Sequence, residues 1–437
     1  MDRAATPFRR PILQSDGVLP GLAHPLDQPY ADGMTLLGYQ QEHTTMPADE
    51  ELPIHLYWTT HARPSAHYQS VIHLVGADGM RWSHPDTARP RGYANYPPNS
   101  SWPPGHYALD SHQVIPLPGT PPGTYDVVLT IFDRDTLAPL SVLNEQGQPA
   151  APDLTLGQVT LTHPYRPVKL SEDDQLEISH MQVTLLTADF DRDQAAPGDS
   201  VYLTLMWQGN DDYHYSTSYC HWSLTLLAMD DTQVAGYSLS LPGYVWQKGD
   251  IWRSQHKSTL PATLDTGIYT WTVEWCSLSS DAISQISIIA PPHTYTAPPV
   301  DVEINTHLGN IATLTGITLS PPLPFTWSPG HPITVTLIWQ AESTPPDSYH
   351  VFLHLLDAEG TLIAQSDAIP ANWSRPTTGW LPGEYILDEH TLSIPLDAPP
   401  GDYTLSTGLY IPGGERLLTP GGADAIPLAT ITVEVQS

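Results

Sequence analysis

RPTTGWLPGEYILDEHTLSIPLDAPPGDYTLSTGLY, residues 375–410, holds the pattern from which the fold is read. Trp380-x-x-Gly383 is followed seven residues after the glycine by His390 and thirteen further on by Tyr403, with Gly401 two places before that tyrosine. The same spacing recurs at Trp102, Gly105, His112, Gly123 and Tyr125, and again at Trp246, Gly249, His256, Gly267 and Tyr269. Five positions repeated three times at fixed intervals mark three copies of one folding unit. Upstream of each copy a strand-like run ends in tryptophan: PIHLYW at Trp58, VYLTLMW at Trp207 and ITVTLIW at Trp339.

The local period is that of strands. Tyr269, Trp271, Val273 and Trp275 alternate with Thr270, Thr272 and Glu274, so one face is predicted to enter a core and the other to meet water. VFLHLLDAEGTLIAQ reads as a hairpin turning at 357–360. Asp265-Thr-Gly267-Ile-Tyr269 has the spacing of a tyrosine corner, with PPGTY and PPGDY as its counterparts. Helical periodicity is essentially absent. The expected fold is all-β: three tandem immunoglobulin/fibronectin-like antiparallel β-sandwiches over about 33–163, 174–307 and 308–437, preceded by an extended Pro-rich segment, 1–32. HPYRPVKLSEDD joins the first two, whereas VDVEINTHLGNIATLTGI runs almost directly from the second into the third, so the second junction is expected to be the stiffer.

Composition excludes several functions. The 437 residues hold 47 acids against 16 Lys and Arg, a formal charge of -31, and the three lysines are Lys169, Lys248 and Lys257. Affinity for nucleic acid or an anionic membrane comes from clustered cations, which this chain lacks. No run approaches the roughly 18 apolar residues of a membrane-spanning helix, and no hydrophobic signal core stands near the N-terminus. With 46 Pro and 30 Gly beside a full complement of aromatics, the chain is turn-rich and globular.

Candidate chemistry is sparse. His112, His256 and His390 fall in separate units, so each is expected to hydrogen-bond backbone and fix the turn before it. His350 and His354 are four apart in a strand, too far for one ion. Asp189, Asp191 and Asp193 alternate like calcium ligands, but Ala195 and Ala196 follow where a glycine and a closing glutamate belong, so a solvated acidic turn is expected. No nucleophile elbow or carboxylate pair can be nominated, and neither enzyme activity nor a cofactor is expected. The middle unit is richest in aromatics. Tyr213, Tyr215 and Tyr244, with Asp211 and Asp212, form the candidate carbohydrate site, because sugar faces stack on exposed rings while carboxylates take the hydroxyls. Trp246, Trp271 and Trp275 are read as core. Cys220 aligns with Tyr68 and Tyr349, and Cys276 with Phe132 and Tyr410; the pair is either a disulfide that needs a bulge to bring both to one face, or two buried thiols.

SYHVFLHLLDAEGTLIAQSDAIP, the 375–410 stretch and GGERLL resemble the soluble sandwich modules that follow the membrane part of bacterial mannosyltransferase-like glycosyltransferases. HPLDQPYADGMTLLGYQ, 24–40, resembles the entry into such modules. The resemblance implies an extracytoplasmic β-sandwich and brings no catalytic residues with it. Two functions follow as expectations. The first is a non-catalytic extracellular structural protein, a surface-layer or fibre subunit that self-associates. The second is a glycan-binding or accessory module of a cell-envelope glycosyltransferase system, with cell-surface glycans as partners.

Overall fold

In the computed structural model, residues 22–84, 99–166, 168–170, 176–180, 183–211, 213–214, 222–241, 245–275 and 279–434 are described. The fold is all-β, and its three repeats share one strand order. In the first, one sheet runs His24–Pro29, Met34–Gln41, Leu52–Thr60, Tyr107–Val114, and the other Thr45–Pro47, Asp153–Thr162, Gly123–Asp133, Tyr68–Val75. In the third, the corresponding strands are Val302–Leu308, Ala312–Ser320, Pro332–Ala341, Tyr385–Ser393, then Thr326–Trp327, Ile426–Val433, Gly401–Tyr410, His350–Leu356, Leu362–Ala368. In the middle repeat they are Ile178–His180, Val183–Phe190, Ser200–Gly209, Ile251–Thr259, then Gln194–Ala195, Ser279–Ile288, Gly267–Trp275, Trp222–Leu227, Gln233–Leu239. In each repeat one short strand pairs in parallel with the last strand.

Alternation builds the cores. Leu52, Ile54, Leu56 and Trp58 point inward and are at most 2% exposed, while Pro53, His55 and Tyr57 between them are half-buried. Each such aliphatic side chain withdrawn from water contributes about 1.5–3 kcal/mol. The third repeat does the same with Ile333, Val335, Leu337 and Trp339, packed against Leu353 and Leu405 of the facing sheet.

The first sheet begins ahead of 33. His24–Pro29 lies inside the segment expected to be an extended tail, yet it pairs with Met34–Gln41. Its prolines make the sequence look like coil, but the strand is at the sheet edge, where a missing N–H breaks no ladder. Similarly, Val302–Leu308 pairs with Ala312–Ser320, so it opens the third sandwich and does not close the second. Both edge strands carry a bulge at a left-handed residue, Asp27 (φ 56) and Asn305 (φ 52). In the middle repeat Glu177 (φ 52) occupies the matching place ahead of Ile178–His180.

By its contacts the chain divides into two compact units, each taking part of the middle repeat. One comprises Met1–Ala188, Thr204–Tyr219 and Ser240–Gln255; the other Asp189–Leu203, Cys220–Leu239 and His256–Ser437. Among the described residues no helix is long and apolar enough to cross a membrane.

Candidate functional site

The repeated residues come first, because their chemistry decides what is left over for function. Gly105, Gly249 and Gly383 have φ of 75, 90 and 85. Each is third in a four-residue turn closed by the next residue's N–H: His106 to Pro103 O (3.3 Å), Asp250 to Gln247 O (3.0 Å) and Glu384 to Leu381 O (3.0 Å). A left-handed third position is what a type II turn requires, and glycine takes it without strain. Each glycine's own N–H bonds the carbonyl two residues past the strand tryptophan: Thr60, Gly209 and Ala341, at 3.0, 2.8 and 2.8 Å. Those bonds tie the turn to the upstream strand. Trp102, Trp246 and Trp380 are buried beside it.

The tyrosine corner is present three times. Tyr125, Tyr269 and Tyr403 donate to the carbonyls of Pro121 (2.8 Å), Asp265 (3.0 Å) and Pro399 (2.7 Å).

The histidines depart from expectation. His390 does not bond the turn backbone, and both it and His112 join the two sheets of a sandwich at an open edge. His112 Nε2 lies 3.0 Å from the Asp110 carboxylate and 3.2 Å from Ser70 Oγ. His390 donates through Nε2 to Asp388 Oδ2 (3.0 Å), and its Nδ1 meets Ser366 Oγ at 3.0 Å. Ser70 and Ser366 belong to the facing sheets, Asp110 and Asp388 to the histidine's own strand. In the middle repeat His256 is half-buried, and Ser254 stands in the aspartate's place, accepting the Trp207 indole N–H at 2.9 Å. Local spacing revealed the histidine but not its partner, because the serine lies across the sandwich.

Ser366, His390 and Asp388 have the connectivity of a hydrolytic triad. The histidine and the aspartate are enclosed. His390 is 3% exposed and Asp388 0%. The carboxylate is filled by His390, by the Trp339 indole (3.3 Å) and by Ala371 N–H (2.7 Å). In the first repeat one nitrogen, His112 Nε2, faces both partners, and Ser70 Oγ also donates directly to the Asp110 carboxylate.

A second repeated arrangement was missed by sequence reasoning. The residue after the turn glycine is Asp250 in the middle repeat and Glu384 in the third, and each receives a histidine that leaves the last strand of the preceding sandwich. His163 Nε2 donates to Asp250 Oδ1 and His293 Nδ1 to Glu384 Oε1, both at 2.8 Å. The other carboxylate oxygen caps the turn, accepting Gln247 N–H (2.8 Å) or Leu381 N–H (3.1 Å). Glu384 also takes Arg375 Nη2 at 2.5 Å. Backbone bonds flank each latch. Gly119 O and Pro118 O accept Arg253 N–H (2.7 Å) and Nε–H (2.9 Å), and Thr294 O accepts Tyr385 N–H (2.7 Å). Thr378 Oγ1 donates to Gly198 O at 2.5 Å, where a Cβ on Gly198 or Gly379 would run into facing backbone. The available signal was an acid after Gly249 and Gly383 with a histidine just past the preceding last strand.

Of the candidate carbohydrate site, Asp211 is exposed and Tyr213 lies in the short strand Tyr213–His214, paired with Val245–Trp246. Asp212, Tyr215 and Tyr244 lie outside the described residues, as do Cys220 and Cys276. Trp246 and Trp271 are fully buried and Trp275 half-buried. Of the calcium candidates, Asp189 and Asp193 are exposed; Asp191 accepts Tyr202 N–H (2.8 Å) and pairs with the Arg192 guanidinium (2.8 Å). Among the described residues no cluster of three or more potential ligands could hold a metal ion.

The third sandwich carries an aromatic ladder that sequence reasoning did not single out. On His350–Leu356, Val351, Leu353 and Leu355 enter the core, so His350, Phe352 and His354 share the outer face. His350 packs edge-on against Tyr410 (5.7 Å) and Trp373 (5.3 Å). Phe352 lies under the Arg416 guanidinium (4.2 Å) and fits because Gly408 opposite has no side chain; a Cβ there would be 2.6 Å from the ring. Burial pushes His354 down to about 4, helped by Arg416, and lowers His350, so both are neutral imidazoles at pH 7. Burial and the negative charge of the nearby Asp367 carboxylate push Tyr410 up to about 12.

Trp373 ends the turn Pro370–Trp373, in which Ala371, Asn372 and Trp373 have φ of 54, 51 and 70. Three successive left-handed residues bearing side chains cost about 1–2 kcal/mol each. The turn is held by Ala371 N–H on Asp388, Trp373 N–H on Ile369 O (2.9 Å) and Arg375 N–H on Pro370 O (3.0 Å). On the same sandwich a hollow of about 500 Å³ lies between 303–307 and 419–427.

No protein-family model matches the chain, and no curated protein matches its sequence. Among solved structures, a mutant of Salmonella alpha-2-macroglobulin aligns at 10% identity over 91% of this chain and 27% of its own, with a TM-score of 0.19. The native E. coli alpha-2-macroglobulin aligns at 10% identity over 91% and 28%, with a TM-score of 0.19. A Bacteroides ovatus protein of a mixed-linkage glucan utilization locus, solved with a mixed-linkage heptasaccharide, aligns at 12% identity over 98% and 71%, with a TM-score of 0.15. The chain thus spans little more than a quarter of the macroglobulins. At these scores the alignments carry no argument about this chain.

Proposed function

We propose that the protein is a non-catalytic extracellular structural protein, a surface-layer or fibre subunit whose work is to space and assemble rather than to transform a substrate. The observation that carries this reading is the twice-used latch, in which a histidine leaving one sandwich docks on a carboxylate of the next, His163 on Asp250 and His293 on Glu384. A chain that repeats the same joint is organised to transmit position along its length. The polar residues that recur in the repeats also support it, because they close sheets, turns and joints. The resemblance of the third repeat to sandwich modules of bacterial membrane glycosyltransferases supports an extracytoplasmic setting.

Electron microscopy of the purified full chain at increasing concentration tests the reading. Ordered sheets or fibres are expected. Deleting residues 1–21, which stops short of the strand His24–Pro29, is expected to weaken assembly while the melting profile stays unchanged. Particles that remain single chains at every concentration would overturn the assembly role.

A further inference from the structure

Thirteen tryptophans are present, and Trp373, at 58% exposure, is the exposed one; the others are buried or half-buried. Its presentation is built. The left-handed turn 371–373 aims it outward, and the buried Asp388 anchors that turn through Ala371 N–H. Backbone held in sparsely populated conformations marks places where a group has been pre-positioned. The surroundings of the indole narrow what it could receive. A lipid or an apolar peptide would need a contiguous apolar patch, whereas here the ring borders His350, an uncharged imidazole, and beyond it the Tyr410 hydroxyl near the Asp367 carboxylate. A chain with a formal charge of -31 also disfavours acidic polymers.

We propose that Trp373, His350, Tyr410 and Asp367 form a binding site for a neutral pyranose chain, one sugar stacking its C–H face on the indole while its hydroxyls meet the imidazole and the Tyr410–Asp367 pair. The apolar ring and the ringed donors and acceptors match the two faces of a hexose. The site lies in the third sandwich, away from the tyrosines that sequence reasoning put forward in the middle repeat. It goes beyond the assembly role and does not depend on it, so either can fail alone.

Native electrophoresis of the full chain in gels containing hydroxyethyl cellulose, mannan, dextran or soluble starch tests the site. Retardation is expected in at least one gel, weakened roughly tenfold or more in Trp373→Ala, partly in Tyr410→Phe, and unchanged in Tyr165→Ala, an exposed tyrosine of the segment joining the first two repeats. Trp373→Tyr keeps a stacking ring and is expected to restore binding, which separates loss of the platform from loss of the fold. Migration unaffected by all four polysaccharides overturns the proposal, as does retardation that survives in Trp373→Ala. If Trp373→Ala abolishes assembly and leaves polysaccharide retardation intact, the indole is a contact between copies and the sugar site is refuted.

Discussion

The two latches use the same chemistry at different depths. At the first, the His163 side chain is 42% exposed and Asp250 8%; at the second, His293 is 23% exposed and Glu384 0%, with Arg375 as an additional partner. An ion pair open to water contributes little, because solvent competes for both partners, whereas a dehydrated carboxylate depends on every donor it has. The second joint therefore carries the higher stakes, in line with the direct run of sequence from the middle repeat into the third.

That contrast can be broken most forcefully at the carboxylates. Glu384→Ala strands Arg375, His293 and Leu381 N–H together and is expected to cost about 3–5 kcal/mol, the loss typical of one partner of a buried pair. Asp250→Ala strands His163 and Gln247 N–H and is expected to cost about 1–3 kcal/mol. Urea unfolding of both variants beside the parent chain measures the difference, and equal losses would erase the distinction between the joints.

Acid sharpens it from another side. His354, in the third sandwich, has its folded value pushed down to about 4 against an ordinary 6.5. The unfolded chain therefore takes up a proton in a range where the folded chain does not. Stability falls as pH drops from about 6.5 to 4, by an amount on the order of 1–2 kcal/mol once screening at a partly exposed site is allowed for. His354→Gln is expected to flatten that slope; a slope identical to the parent's would place the acid sensitivity elsewhere. The smallest effects are at the histidines of the joints. His163→Gln is expected to cost less than about 1 kcal/mol and His293→Gln about 1–2, read as midpoint shifts in the same urea titrations.

What the sequence disclosed follows from range. Strand alternation, the turn glycines and the tyrosine corners depend on residues a few positions apart, so their spacing is written in the chain. The latches join residues 87 and 91 apart, and no local period reports such a pair. The strand His24–Pro29 was hidden by its prolines, which an edge tolerates. Aromatic density drew attention to the middle repeat, yet Trp222, Trp246, Trp252 and Trp271 are all core there. The exposed Trp373 stands alone in an irregular turn, where neither density nor period marks it.

The residue after the turn glycine is an acid in the middle and third repeats and His106 in the first. The latch therefore has polarity: the first sandwich supplies a plug, the third supplies a socket, and the middle one has both. A longer array made by duplicating the middle repeat would carry its own couplings at each new junction, like a link that fits any chain. The first sandwich moved to an interior place would interrupt the series until His106 was exchanged for aspartate or glutamate.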